Sequence, residues 1–87
     1  MTTANIISQV EDYDHWRSVY DAQAERAADA GRKSENVYRN ADDPNDIVLV
    51  GTWESAERFQ ALMESPELRA AFVEAGVQGA PVIHVID

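Results

Sequence analysis

The chain has 87 residues, no cysteine, seven Lys and Arg against sixteen Asp and Glu, and a net charge of −9. Disulfides and thiolate metal sites are excluded, and the acidic balance disfavours nucleic-acid backbones and anionic lipid surfaces alike. A domain this short buries only about 60–65% of its unfolded surface, so association with a second copy is a common route to stability.

The first residues show no basic segment followed by a long apolar run, so no signal peptide is expected. No stretch reaches the roughly 20 apolar residues of a membrane-spanning helix. The expectation is a cytoplasmic protein of one domain over residues 1–87.

Residues 4–10 read as a strand, with β-branched Ile6, Ile7 and Val10 around Ser8 and Gln9. The period then changes. Tyr13, Trp16, Val19, Tyr20, Ala24, Ala27 and Ala28 recur at three- and four-residue steps, which marks one helical face. Asp12 or Asp14 can cap its start, and Gly31 sits where a left-handed C-terminal cap is expected. One helix over about 13–30 follows.

Residues 33–40 form a weaker strand carrying Val37 and Tyr38. Asn40-Ala41-Asp42-Asp43-Pro44-Asn45-Asp46 is rich in turn-forming side chains. Residues 47–53 are apolar on both parities, so both faces of that strand are expected to be covered. The two strands should pair antiparallel as a hairpin.

Ser55 caps a second helix with the stripe Phe59, Leu62 and Met63. Ser65 caps a restart with Pro66 at the first helical position, and Leu68 and Phe72 continue the buried face. Gly76 ends it, and a last strand covers 82–86. The order β-α-β-β-α-β is the ferredoxin-like α+β arrangement with an antiparallel sheet. Two helices cover one sheet face. Ile6, Val10, Val48, Val50, Val82 and Ile86 are read as lying on the other, and an exposed apolar face of that kind calls for a partner. A homodimer closing two sheets into a dimeric α/β barrel is the expected assembly.

Particular stretches resemble a known group. Val10-Glu11-Asp12-Tyr13-Asp14-His15-Trp16-Arg17-Ser18-Val19-Tyr20-Asp21 resembles the V-x-D-Y-D-x-W-x-x-x-[FY]-D opening of small bacterial dimeric α/β barrels. That group comprises the antibiotic-biosynthesis-monooxygenase-like and small polyketide-cyclase-like proteins. The hairpin Tyr38-Arg39-Asn40-Ala41-Asp42-Asp43-Pro44-Asn45 is similar, as are Trp53-Glu54-Ser55 and Ser65-Pro66-Glu67-Leu68-Arg69. The resemblance spans about 6–87. It implies a homodimer with cavities between sheet and helices or inside the barrel. It also implies oxygenation or cyclisation of an aromatic or polyketide-like molecule without a bound cofactor. A haem-degrading branch needs a tryptophan and a histidine ligand where this chain has Leu62 and Phe72, so that chemistry is disfavoured.

His84 lies within Val82-Ile83-His84-Val85-Ile86. Alternation puts it with Val82 and Ile86 on the barrel side, with Ile83 and Val85 toward the helices. An imidazole there suits a general base, its ordinary pKa being about 6.5. Tyr38 can hydrogen-bond a substrate carbonyl or phenol, and Arg39 can stabilise an enolate. Trp53 can stack on an aromatic ligand, and Ser8 can hydrogen-bond one. His84 and Tyr38 are thus the catalytic candidates, and Ser8, Trp53 and Arg39 the substrate-binding ones. The same residues also admit plain readings: an interface histidine, a core tryptophan, a surface arginine. Asp12, Asp14, Asp42, Asp43 and Asp46 read as caps and turns, not as a calcium loop. No phosphate loop, nucleophile elbow or zinc helix is present. No cofactor is expected. The alternative to an enzyme is a non-catalytic dimeric protein that binds a small apolar or aromatic ligand.

Overall fold

The computed structural model describes residues 1–86. The elements run β1 (Thr2–Val10), α1 (Tyr13–Ala22), α2 (Ala24–Asp29), β2 (Arg32–Arg39), β3 (Asp46–Trp53), α3 (Ala56–Met63), α4 (Pro66–Glu74) and β4 (Val77–Ile86). The strands form one antiparallel sheet in the order β2-β3-β1-β4. This is the expected ferredoxin-like α+β fold, with each of the two helical stretches divided in two. The sheet of one chain is open and does not close into a barrel.

The local signals act as their chemistry requires. The Asp12 carboxylate accepts the His15 N–H at the start of α1, and Ser55 and Ser65 do the same for Arg58 and Leu68. Each such cap is worth about 1 kcal/mol. Gly31, with φ 113°, lets the chain leave α2 in a conformation that disfavours other residues. The first helical stretch is not continuous, however. It is interrupted at Gln23, whose φ and ψ of −94° and −2° lie at the edge of the right-handed helical region.

Register decides which side chains face the helices. Ile6 pairs with Leu49 and Ile83, and Ile7 pairs with Val48 and Val82. Ala4, Ile6 and Val10 are therefore core residues on the helix-covered face, together with Ile47, Leu49 and Trp53 of β3. This corrects the expectation that Ile6 and Val10 lie on the open face. A parity choice that is off by one moves a strand residue to the opposite side. The open face is instead built of transverse rows. One row is Tyr38, Val48, Ile7 and Val82; the next is Asn36, Val50, Asn5 and His84. Val82, Tyr38 and Ile86 are all about half exposed on it, at 51%, 53% and 53%.

The last strand is longer than expected and starts at Val77. Its register slips against β1: Val82 to Gln78 spans Ile7 to Gln9. Pro81, which cannot donate to a ladder, falls in this irregular part of an edge strand, where proline is tolerated. Trp16, Val19, Ala27, Phe59, Leu62, Leu68 and Ala71 from the four helices seal the covered face. No helix among the described residues is long and apolar enough to cross a membrane.

Candidate functional site

Between the helices and the covered sheet face lies a cavity of about 80 Å³. One buried water needs only about 10–15 Å³, so several atoms fit. Ile6, Ser8, Leu49 and Trp53 form part of its floor, and Trp16, Tyr20, Leu62, Met63 and Phe72 part of its roof. Both tryptophans of the chain thus line it. Trp53 is 1% exposed and held edge-on by Phe59, with centroids 5.1 Å apart at 76°. Trp16 stacks on Tyr20 at 4.8 Å.

Few polar groups reach this space. The Trp53 Nε1 and Gln23 Oε1 atoms are buried and have no hydrogen-bond partner, which is costly for a buried polar atom at about 1–3 kcal/mol. The Ser8 side chain lies in the same lining. Gln23 is there because it lies seven residues on from Trp16 and four from Val19, on the same helical face.

A charged group completes the wall. The Tyr20 hydroxyl donates to Glu35 Oε1 at 2.6 Å, and Arg32 Nη1 donates to the same oxygen at 2.9 Å. Arg32 Nη1 also lies 3.3 Å from the Tyr20 hydroxyl. The Glu35 side chain is only 4% exposed and that of Arg32 15%. Burial, and then the hydrogen bond to the Glu35 carboxylate, hold the Tyr20 phenol well above its usual pKa.

The candidates from the sequence fall in three places. Ser8 and Trp53 line the cavity. Arg39 is elsewhere. Its guanidinium sits 3.7 Å from the Tyr13 ring centroid, and its Nε donates to the Pro44 carbonyl. His84 and Tyr38 are on the open face, with no part in the cavity lining. They belong to different rows and to opposite edge strands, three strand spacings apart, or roughly 14 Å. One chain does not bring them together.

Gln23, Arg32 and Glu35 carry no expectation from the sequence, and Tyr20 none for the site. Tyr20 belongs to the apolar helical stripe and reads as core. Arg32 falls just outside the strand expected over 33–40, and a regular strand would point residues 32 and 35 to opposite faces. A register shift between Arg32 and Ser34 absorbs Lys33 and turns both toward the helices. Among the described residues no group of three or more His, Cys, Asp or Glu is arranged to hold a metal ion.

Solved structures share this architecture. An antibiotic biosynthesis monooxygenase superposes with a TM-score of 0.77 at 11% identity, covering 100% of this chain and 97% of that one. SnoaB, a cofactor-independent oxygenase from Streptomyces nogalater, gives 0.76 at 17% identity, covering 99% and 89%. A conserved protein from Methanosarcina mazei Go1 gives 0.77 at 13%, covering 98% and 89%. No curated protein matches the chain. At these identities the superpositions speak for the fold alone. The family profile named Antibiotic biosynthesis monooxygenase matches residues 9–74, which takes in both helical stretches, the β2–β3 hairpin and most of the cavity lining, and the chain belongs to that family.

Proposed function

We propose that this protein is a cofactor-independent oxygenase that acts on a small aromatic or polyketide-like molecule held between sheet and helices. The observation that carries this reading is a largely apolar cavity walled by both tryptophans, one of which, Trp53, keeps a buried Nε1–H without a partner. A donor kept dry and unsatisfied is poised for an oxygen that gains negative charge during reaction. Family membership and the likeness to SnoaB point the same way.

The chemistry suits a site of this kind. A substrate CH₂ flanked by aryl rings and conjugated to a carbonyl loses a proton to solvent as it binds, and its carbonyl oxygen takes up the charge. Trp53 Nε1–H donates to that oxygen, while Ser8 and the Gln23 amide orient the ring. The carbanion passes one electron to O₂, and the resulting radical and superoxide combine into a peroxide. Protonation of the peroxide and loss of the second C–H as water leave a new carbonyl. One CH₂ and one O₂ give one C=O and one H₂O. The surrounding apolar groups keep water from the anion.

In this reading His84 and Tyr38 serve assembly, not proton transfer. They belong to the exposed apolar face that carries Ile7 and Val82, a face suited to a second copy of the chain. The protein is thus read as a cytoplasmic homodimer with one cavity in each chain.

Oxygen consumption with an anthrone in chelator-treated buffer tests the function. The expected result is a rate well above the spontaneous one and a product in which CH₂ has become C=O. Spontaneous rates with several anthrones would remove the oxygenase reading.

A further inference from the structure

The cavity wall contains one anionic group whose bonding capacity is only partly used. A carboxylate offers about four acceptor positions. Glu35 Oε1 takes two donors, from Tyr20 and Arg32. Among the described residues, Oε2 takes no hydrogen bond, although the side chain is 4% exposed and lines the cavity. The place of this oxygen is built into the sheet. Glu35 pairs across strands with Gly51, and a β-carbon on Gly51 would stand 2.8 Å from Oε2. No other residue type leaves the carboxylate where it is.

We infer that Glu35 Oε2 is a recognition site for a neutral hydroxyl on the ligand, so that the cavity selects hydroxyaromatic molecules over their ethers and parent hydrocarbons. The reasoning rests on the proposed aromatic-binding role of the cavity. Arg32 balances the carboxylate charge, so the pocket gains nothing from a cationic ligand. Tyr20 and Arg32 both bond to Oε1 and hold the carboxylate in one orientation, so little freedom is lost when a ligand hydroxyl donates to Oε2. In a dry site a hydrogen bond to a charged acceptor is among the stronger kinds. A ligand lacking the hydroxyl would place no donor against that acceptor, which is the basis of strong discrimination in hydrogen-bonding sites.

Phenol and anisole are the probes, since they differ by one methyl group that removes the donor. Binding is followed by the fluorescence of Trp16 and Trp53, both in the cavity wall, excited beyond the absorption of the probes. The parent should bind phenol about tenfold more tightly than anisole. Glu35→Gln should lose most of that preference and keep its anisole affinity, which also reports that the cavity is intact. Should Glu35→Gln fail to fold, Tyr20→Phe carries the test. It removes one of the two donors that hold the carboxylate in place, so phenol binding should weaken and the preference over anisole should shrink. Equal affinity of the parent for the two probes would overturn the inference and leave the aromatic cavity standing. An unchanged preference in Glu35→Gln would overturn it as well. Binding of neither probe would remove the cavity reading itself, and the inference with it.

Discussion

The carboxylate of Glu35 lies over the bare α-carbon of Gly51, its partner across the β2–β3 ladder. A β-carbon at position 51 would meet Glu35 Oε2 at 2.8 Å and the Ser34 carbonyl oxygen at 2.9 Å. The first obstacle is the end of a side chain and the second is backbone. Gly51→Ala is therefore expected to destabilise the fold by about 1–3 kcal/mol, the usual range for overpacking. Adding Glu35→Ala should recover only part of the loss, because the Ser34 carbonyl remains. Urea unfolding of both variants checks this. A Gly51→Ala variant as stable as the parent would mean that the space above position 51 is not needed.

Tyr20 gives the site a pH signature. Burial and the Glu35 carboxylate raise its pKa above the ordinary value of about 10. The folded protein thus holds a proton that the unfolded chain releases once the pH passes about 10. This stabilising contribution is intact below that pH and is lost as the pH rises toward and through the folded-state pKa. Between pH 9 and 11 the unfolding free energy of the parent should fall more steeply than that of Tyr20→Phe. Parallel declines would place the Tyr20 phenol in an ordinary environment.

Arg39 stacks on Tyr13 and bonds to the Pro44 carbonyl. Its replacement by alanine should cost about 0.5–1 kcal/mol, the value of an exposed cation–π contact. It should leave ligand binding in the cavity unchanged. A loss of phenol or anisole affinity in Arg39→Ala, at retained stability, would restore a binding role to this residue.

Ile7 sits in the middle of the open-face row that runs from Tyr38 to Val82. In the homodimer reading, Ile7→Asp places a charge where two sheets would meet. The parent should sediment as a dimer and Ile7→Asp as a monomer with an unchanged circular-dichroism spectrum. A parent that sediments as a monomer at micromolar concentration would set aside the paired-sheet assembly.

Much of this architecture is legible in the chain because its signals are local. Asp12, Ser55 and Ser65 cap helices through their own side chains, and the Asn40–Asp46 turn is written in short polar residues. The facing of β1 is harder to read, because Ile6 and Ile7 are both apolar and adjacent, so composition cannot choose between them. Pairing with β3 makes the choice: Ile6 faces the helices and Ile7 the open side. The candidate site is legible where a large side chain announces itself, as with Trp53. It is hidden where it depends on long-range geometry. Glu35 and Arg32 meet only through a register shift in the ladder. His84 stands out in the sequence as a lone imidazole among apolar residues. Its register partner is Asn5, on the face away from the cavity.

The claim on which the rest depends is that chemistry takes place on the helix-covered side of the sheet. Oxygen uptake with an anthrone, compared between Trp53→Phe and His84→Ala at matched stability, tests it most directly. Loss of the Nε1 donor in Trp53→Phe should slow turnover by about 10²-fold, as for other preorganised donors, and His84→Ala should leave the rate unchanged. A full rate in Trp53→Phe together with a collapse in His84→Ala would move the reaction to the opposite face and contradict the account.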